Sequence, residues 1–295
     1  MPQSNIDLSP PGRMASTTIL TLDGPVSGVP GAFVREVHEL PAHLPGGTRI
    51  APWTEALPGA LLFEVPRIAR FLIKDGQTID VLVAEGADRS AVKLFLETSA
   101  RGTLIHQRGE LALNAVTLIA PDWKCVTICA PSGFGKSTLA AVLCRNGWTL
   151  LADNITRVTW SGTMAVAWPD DARLKLWRDV CEAMRLDPAK LERVRDKMEK
   201  YYIPGPSATT PARLSIIVVL RLAERASSRA LNVADNVFGL TESTFRTRQI
   251  DPLGMRAVHT RIVDQIAGCC RGVLLEGGRR APVADVARRL AEAIR

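Results

Sequence analysis

The residues best suited to chemistry lie in one short stretch, which reads Ala130-Pro131-Ser132-Gly133-Phe134-Gly135-Lys136-Ser137-Thr138. It fits the phosphate-loop pattern GxxxxGK(S/T), except that Ala130 stands where the first glycine is expected. Gly133 and Gly135 allow backbone amides to curl around phosphate oxygens. Lys136 supplies a positive charge to the terminal phosphates, and the hydroxyl of Ser137 is placed to bind Mg²⁺. The stretch therefore predicts a site for the phosphates of a nucleotide.

The elements around this loop decide between a phosphate site and an ordinary glycine-rich turn. An apolar strand, Lys124–Cys129, precedes the loop, and a helix predicted over Lys136–Asn146 follows it. A helix that starts at the loop directs the positive end of its dipole at a bound anion. The flanking elements favour the phosphate site, provided that Ala130 keeps a negative φ so that its methyl group does not strain the loop.

A candidate catalytic acid follows the next apolar strand. That strand, Trp148–Ala152, is followed directly by Asp153 and Asn154. An acid at this position of an α/β unit should lie near the loop. There Asp153 could orient Mg²⁺ or take a proton from an attacking hydroxyl. A solvated loop aspartate is the alternative interpretation.

A weaker signal comes from cations with apolar or aromatic neighbours. Arg173 and Lys175 alternate with leucines, and Lys200 precedes the pair Tyr201-Tyr202. These cations could grip a phosphate or a peptide carboxylate, although ordinary surface cations are more common. Arg173 and Lys200 are retained as candidate substrate-binding residues. His106, near a helix end, is expected to be a packed or capping histidine.

The rest of the chain alternates strands and helices, which predicts an α/β fold with a mostly buried sheet. Further strands are predicted at Ile19–Leu22, Ala32–Val37, Leu61–Val65, Phe71–Ile73, Ile79–Val83, Leu111–Ile119, Arg157–Trp160, Met164–Trp168 and Leu214–Leu222. Further helices are predicted over Arg178–Leu186, Pro188–Lys200, Asp264–Cys270 and Val283–Ile294. Ser90 is expected to cap another helix, and Asp75-Gly76 indicates a tight hairpin before it.

The length of the chain and the distribution of its Pro, Gly, Ser and Thr residues divide it into three parts. Its 295 residues suffice for one large domain or two small ones. Residues 1–58 are rich in Pro, Gly, Ser and Thr and are expected to form a flexible or short-stranded segment. We expect a small α+β domain over 59–108 and the phosphate-loop core over 109–295.

The composition excludes several classes of protein. With 46% hydrophobic and 23% charged residues, the chain is not disordered throughout. It has no apolar run near the roughly 20 residues of a membrane span, so no membrane partner is expected. The formal charge of +7 favours anionic partners, but only 5% of residues are aromatic, which argues against nucleic acid. Six cysteines without a CxxC pair, and a start without a secretory pattern, predict a cytoplasmic protein.

In sequence the chain resembles the HPr kinase/phosphorylase-like serine kinases, and most of all the branch that tailors lasso peptides. The resemblance runs from about Leu61 to about Pro204, and more loosely to the end of the chain. Besides the phosphate loop, six stretches carry it: Val65-Pro66-Arg67-Ile68-Ala69-Arg70-Phe71, Lys93-Leu94-Phe95-Leu96, His106-Gln107-Arg108-Gly109-Glu110-Leu111, Leu150-Leu151-Ala152-Asp153, Arg173-Leu174-Lys175-Leu176-Trp177 and Lys200-Tyr201-Tyr202-Ile203-Pro204.

This resemblance implies both a fold and an activity. The fold would be a small β-rich N-terminal domain with a phosphate-loop kinase core of the HPr kinase and phosphoenolpyruvate carboxykinase type. The activity would be transfer of the γ-phosphoryl group from ATP, with Mg²⁺, to a serine hydroxyl. In the peptide-tailoring branch the acceptor is a serine near the C-terminus of a precursor peptide. The resemblance also implies self-association.

Two positions depart from the pattern of these kinases. Where they carry a histidine before the phosphate loop, inside a Leu-His-Ala-Ser stretch, this chain has Asn114. Where they carry two consecutive aspartates, this chain has Asp153-Asn154. Asparagine keeps the hydrogen-bonding shape but takes no proton and carries no charge. The expected base, Asp153, is therefore present without its two helpers.

Three hypotheses remain open at this point. In the first, the protein is a kinase in which Asp153 activates a serine hydroxyl and Lys136 stabilises the transferring phosphoryl group. In the second, it is a degenerate kinase that binds nucleotide or peptide without turnover, as Asn114 and Asn154 would allow. In the third, it is another phosphate-loop enzyme that hydrolyses nucleotide or phosphorylates a small molecule. We favour the first, because phosphoryl transfer depends mainly on positioning and charge stabilisation.

Overall fold

Two large sheets form the framework of the protein. The computed structural model describes residues 22–170, 173–195 and 198–295, and within them the chain has a mixed α/β fold. One sheet has seven strands and the other nine. The strand predicted at Ile19–Leu22 lies, apart from Leu22, outside the described residues.

The seven-stranded sheet occupies the N-terminal part of the described chain. Its strands are β1 (Gly24–Pro25), β2 (Phe33–Glu36), β3 (Thr48–Ala51), β4 (Thr54–Leu57), β5 (Ala60–Val65), β6 (Ala69–Lys74) and β7 (Thr78–Val83). Their order is β1-β2-β7-β6-β5-β4-β3, with β2 and β7 parallel. The predicted hairpin is confirmed, since β6 and β7 pair around Asp75 and Gly76 at φ 53° and 64°. The sequence-based boundary at residue 58 falls between β4 and β5, which pair with each other.

A helical segment connects this sheet to the rest of the chain. It consists of α1 (Arg89–Phe95), a π-helical turn (Leu96–Ala100) and α2 (Arg101–Gln107). The helix cap predicted at Ser90 is two residues too late, because the observed N-cap is Asp88. Asp88 caps α1 and accepts a hydrogen bond from the backbone N–H of Ser90 at 2.8 Å, because a carboxylate ahead of the helix meets the free amides of its first turn.

Eleven further strands follow among the described residues. They are β8 (Leu111–Leu113), β9 (Ala115–Ile119), β10 (Cys125–Cys129), β11 (Thr149–Ala152), β12 (Thr156–Trp160), β13 (Ala165–Trp168), β14 (Leu174–Trp177), β15 (Lys200–Ile203), β16 (Ala212–Leu222), β17 (Ser227–Leu231) and β18 (Arg271–Gly277). All but β14 and β15, which pair only with each other, belong to the nine-stranded sheet. The helices between and after them are α3 (Lys136–Arg145), α4 (Arg178–Ala183), α5 (Val233–Ser243), α6 (Arg256–Cys269) and α7 (Val283–Ala293).

Strand direction in the nine-stranded sheet brings four strand ends to one edge. β10 runs parallel to β16, and β16 runs parallel to β18. β9 is antiparallel to both β10 and β11, so β11 also runs in the direction of β10. The carboxyl ends of β10, β11, β16 and β18 therefore share an edge, which is where ligands bind in open α/β sheets.

Two sequence predictions need correction. The strand predicted over Leu111–Ile119 is broken at Asn114 into β8, which pairs with β12, and β9, which pairs with β10. The helix predicted over Pro188–Lys200 is wrong, since the described residues of this range are helical only in a 3₁₀ turn at Pro188–Lys190, and Lys200 begins β15. Beyond that turn, the N–H of Val194 donates to the Lys200 carbonyl at 2.9 Å. A backbone donor satisfied across the hairpin is not available for a helical bond.

Helix α3 follows the phosphate loop and anchors it to the sheet. Its buried residues include Leu139, Ala140 and Leu143, at the spacing expected for one helix face. They join a core with Ile128 of β10 and Val218 of β16. Burial of each leucine stabilises this contact by roughly 1.5–3 kcal/mol. The loop is consequently held between a packed strand and a packed helix.

A helix that crosses a membrane must be both long and apolar. None of the helices in residues 22–170, 173–195 and 198–295 combines both properties.

A glycine pair tests the packing of β18 against α5. A Cβ at Gly272 would lie 1.9 Å from the Oδ1 atom of buried Asn236, whereas a Cβ at Gly268 on α6 meets nothing within 4 Å. We expect Gly272→Ala to lower the free energy of unfolding by about 1–3 kcal/mol through overpacking. Gly268→Ala should leave it unchanged or raise it by up to about 1 kcal/mol. Urea denaturation measures both, and equal effects would contradict the described packing.

Candidate functional site

The phosphate loop lies between β10 and α3, as the sequence predicts. Gly133 and Gly135 adopt φ angles of 85° and 93°, a left-handed backbone that side chains with a Cβ avoid. Gly135 is the residue that caps the start of α3. Ala130 is buried and is not one of the described residues with positive φ, so its methyl group causes no strain in the loop. The replacement of the first glycine is thus compatible with a phosphate loop.

Lys136 is folded back over this loop. Its Nζ donates to the carbonyl oxygens of Ala130 at 2.6 Å and Pro131 at 3.2 Å. Burial lowers the pKa of Lys136 below its ordinary value, while the charge of Asp153 is among the effects that raise it. The ammonium group therefore sits at the mouth of the loop with partners that a phosphate oxygen could replace.

The predicted acid and hydroxyl meet at this loop. The Oγ of Ser137 donates to Oδ1 of Asp153 at 3.2 Å. Asp153 is only 7% exposed, which excludes the alternative of a solvated loop aspartate. Burial raises the pKa of the Asp153 carboxyl, and the charges of Lys175 and Lys200 and the Ser137 hydrogen bond act against this rise. A carboxyl whose pKa is shifted toward neutrality is better matched to proton transfer.

The hairpin of β14 and β15 supplies two cations that act on Asp153. Lys175 is paired with Tyr202 and Trp177 with Lys200, so these four side chains share one face of the hairpin. Lys175 and Lys200 both act electrostatically on Asp153, and burial lowers the pKa of Lys200. This face therefore opposes the acid with two positive charges.

Arg173, the other candidate substrate residue, is engaged within the protein. Its guanidinium bonds to the Glu192 carboxylate at 2.6 Å and lies 3.8 Å from the ring centroid of Tyr202. A cation held by a carboxylate and an aromatic face is oriented, but part of its charge is already neutralised. Lys175, like Lys200, acts on Asp153, whereas Arg173 is paired with Glu192. The sequence alone did not separate Arg173 from Lys175.

Sequence reasoning missed a second buried carboxylate, Asp170. Its Oδ2 accepts a hydrogen bond from buried Arg101 at 3.3 Å, while its Oδ1 is buried without a hydrogen-bond partner among the described residues. Burial raises the pKa of Asp170 to about 6, the Arg101 charge opposes this, and the charge of Asp153 adds to it. The available signal was an acid just after an apolar strand, the pattern that identified Asp153.

Asn114 and Asn154 lie at the same sheet edge as the loop. Asn114 is half-buried at the break before β9, and its backbone N–H donates to the Ser243 carbonyl at 2.7 Å. The next residue, Ala115, pairs with Cys129, the last residue before the loop. Asn154 has a φ of 79°, a conformation that asparagine and aspartate tolerate better than most residues. The two departures from the kinase pattern therefore both lie at the sheet edge that carries the phosphate loop.

His106 is buried on α2, as expected of a packed histidine. Its Nε2 donates to the Phe245 carbonyl at 2.8 Å. Burial lowers the pKa of His106 to about 4, which keeps the ring neutral at physiological pH. No catalytic role is needed to explain this residue.

The oxygen donors at the loop fit a small hard cation such as Mg²⁺. Mg²⁺ is usually held by one or two carboxylates or hydroxyls together with substrate phosphates. The Ser137 hydroxyl and the Asp153 carboxylate lie within hydrogen-bond distance of each other, beside a loop suited to phosphate. They form no cluster of three or more His, Cys, Asp or Glu side chains among the described residues, so the phosphates would have to complete the coordination.

Comparison with known proteins gives partial matches. Models of protein families do not match this chain. A protein described as a nucleotide-binding protein, from Anaeromyxobacter sp. (strain K), is 33% identical over 85 residues, which are 28% of this chain and 29% of that protein. Proteins of the same description from two Anaeromyxobacter dehalogenans strains are 33% and 32% identical over 85 residues. The chain therefore matches less than a third of the length of these relatives.

One solved structure resembles part of the fold. It is the Hpr(Ser) kinase/phosphatase from Coxiella burnetii, at 12% identity and a TM-score of 0.33. The match covers 62% of this chain and 90% of that chain. A similarity of this size says nothing about the reaction.

The electrostatic link between Asp170 and Asp153 can be measured directly. In Asp153→Asn one negative charge next to Asp170 is removed, so the pKa of Asp170 should fall from about 6 toward the ordinary 3.8. NMR titration of carboxyl-labelled aspartates measures this change. Asp122→Asn, an exposed carboxylate paired with Lys124, is the matched control and should leave Asp170 unaffected. An Asp170 pKa that stays the same or rises in Asp153→Asn would contradict the described proximity.

Proposed function

We propose that this protein is a kinase that binds ATP at the phosphate loop and transfers the γ-phosphoryl group to a serine hydroxyl of a peptide or protein. One contact carries the proposal. Ser137, the residue after Lys136 in the phosphate loop, donates a hydrogen bond to the buried carboxylate of Asp153. A phosphate cradle needs only the loop, whereas phosphoryl transfer also needs a group that positions or deprotonates the acceptor.

In the proposed step Asp153 acts as the base. As the serine oxygen attacks the γ-phosphorus, its proton passes to a carboxylate oxygen of Asp153. The bond between the γ-phosphorus and the β,γ-bridging oxygen breaks, and ADP leaves with that oxygen. The raised pKa of Asp153 suits this role, because a base with a pKa nearer the operating pH accepts a proton more readily.

Lys136, with its ammonium at the loop, would stabilise the negative charge on the transferring group. In this step Mg²⁺ would be held by Ser137 together with the phosphates and would neutralise further charge when bound, since Asp153 can take the proton only while its carboxylate is not committed to the metal. Asn114 accepts no proton, so in this chain Asp153 would work without the histidine that the kinase pattern leads one to expect.

The proposed acceptor is a serine of a ribosomal precursor peptide of the lasso type. This choice rests on the sequence resemblance to peptide-tailoring kinases, and the site is compatible with it. The face that carries Lys175 and Lys200 presents positive charge with the rings of Trp177 and Tyr202 beside it. Such a surface suits a peptide that ends in a carboxylate, since cations and aromatic rings bind carboxylate and backbone together.

The proposal predicts that Asp153→Asn lowers the phosphorylation rate roughly 10²–10⁴-fold, the usual effect of removing a general base. ATP binding should persist because the loop and Lys136 are unchanged. Mass spectrometry of the precursor peptide after incubation with ATP and Mg²⁺ measures the addition of one phosphate, and calorimetry measures ATP binding. Asp264→Asn, an exposed acid on α6, serves as the control. If wild-type protein binds ATP but never modifies the peptide, the proposed activity is wrong.

A non-catalytic nucleotide-binding protein is the second candidate, and Asn114 and Asn154 favour it. This candidate predicts ATP binding without turnover in the wild type. Asn114→His combined with Asn154→Asp should then create activity. The backbone at Asn154 accepts aspartate, since φ 79° is tolerated by both residues. Turnover by the wild-type chain would rule this candidate out.

A further inference from the structure

A second segment with positive charge lies against the phosphate loop. It is the turn at Gly278–Arg280, which follows β18. A Cβ placed on Gly135 of the loop would lie 3.3 Å from the backbone nitrogen of Arg279 and 3.6 Å from its Cα. A Cβ placed on Gly278 would lie 2.9 Å from the carbonyl oxygen of Phe134. The turn and the loop are therefore in backbone contact.

The turn is fixed in this position by its own glycines. Gly277 and Gly278 have φ angles of 126° and 51°, which a residue with a Cβ rarely adopts. A Cβ at Gly277 would also meet Val286 of α7 at 2.8 Å, and one at Gly278 would meet Leu222 of β16 at 2.9 Å. The backbone of Arg279 is thus held between the loop, α7 and the end of β16.

The side chain of Arg279 is exposed at this contact. Within the described part of the chain it forms no ion pair, in contrast to Arg288 and Arg289 on the following helix. The strand order places β10 between β9 and β16, so the turn after β18 lies on the opposite side of the loop from Asp153 after β11. The loop thus has an acid on one side and a guanidinium without an acidic partner on the other.

We propose that Arg279 binds the polyphosphate tail of the nucleotide, as a contact in cis from the C-terminal part of the chain. This inference rests on the proposed nucleotide binding and adds a residue that the phosphate-loop pattern does not contain. Guanidinium is suited to the role because it presents planar N–H donors that match phosphate oxygens. Lys136 acts from within the loop, whereas Arg279 would approach the phosphates from the neighbouring turn.

Calorimetry with ATP on the full chain tests the assignment. Arg279→Ala should weaken ATP binding about 10- to 100-fold, the usual effect of losing a hydrogen bond to a charged group. Arg279→Lys should recover part of this loss because it keeps the charge. Arg289→Ala, which removes an equal charge from α7 where Arg289 pairs with Glu292 at 3.1 Å, should bind as the wild type does. Circular dichroism confirms that each variant is folded.

Titration with AMP distinguishes a phosphate contact from a base contact. The assignment predicts a much smaller loss for AMP than for ATP in Arg279→Ala. An equal loss for both nucleotides would place Arg279 at the base, the ribose or the α-phosphate, which AMP and ATP share, and would overturn the assignment to the outer phosphates. Unchanged ATP affinity in Arg279→Ala, with binding by the wild type, would also overturn it while leaving the proposed function intact. A wild-type chain that binds no nucleotide would overturn both.

Discussion

The common direction of four strands is the constraint on which the site depends. β10 and β16 pair in parallel from Val126–Ile216 to Cys129–Val219, after a register shift that follows Cys125, and β18 extends the sheet in the same direction. Parallel strands place their carboxyl ends together, and the loops that follow them become neighbours however far apart they lie in sequence. The phosphate loop, Asp153 and the turn of Arg279 meet for this reason. Asn114 joins them because β9 runs the other way and begins where the others end.

Burial then determines the character of the charged groups at that edge. Both Asp153 and Asp170 have raised pKa values because they are removed from water, and the charge of Asp153 adds to the rise in the pKa of Asp170. Buried acids of this kind need cations beside them, since an unpaired buried charge is costly. The charges of Lys175 and Lys200 stabilise the ionised form of Asp153, and Arg101 forms an ion pair with Asp170. The site therefore combines opposite charges drawn from several segments of the chain, with more cations than acids.

The local parts of this arrangement could be predicted from the sequence, and the long-range parts could not. The loop, its helix and Asp153 are encoded within about two dozen residues, where glycine positions and apolar runs act directly on the backbone. The position of Asp170 after an apolar strand could be read from the sequence, but its pairing with Arg101 could not, because Arg101 is distant in sequence and the fold sets the contact. A helix was predicted over Pro188–Lys200 because a stretch rich in charged residues is typical of an exposed helix. In the structure a backbone amide of this stretch, that of Val194, instead donates to the carbonyl of Lys200.

Long-range contacts also order part of the segment over residues 1–58, which was expected to be flexible or short-stranded. Arg101 donates to the carbonyl of Ser27 at 3.3 Å, and Arg157 donates to the carbonyl of Gly28 at 3.0 Å. These two arginines tie the connection between β1 and β2 to the core that carries Asp170. The composition of such a stretch indicates only how freely its own backbone can move. Hydrogen-bond donors from distant parts of the chain, here Arg101 and Arg157, determine whether it is ordered in the fold.

The left-handed backbone at Asn154 has a consequence for how this protein can evolve. A position at φ 79° admits asparagine and aspartate with similar ease, so exchanging one for the other requires no rearrangement of the neighbouring chain. A lineage can therefore gain or lose a carboxylate beside Asp153 in a single substitution. Loss of that charge is in this sense reversible. Variants with and without the second carboxylate differ by one substitution and can share the same backbone conformation at residue 154.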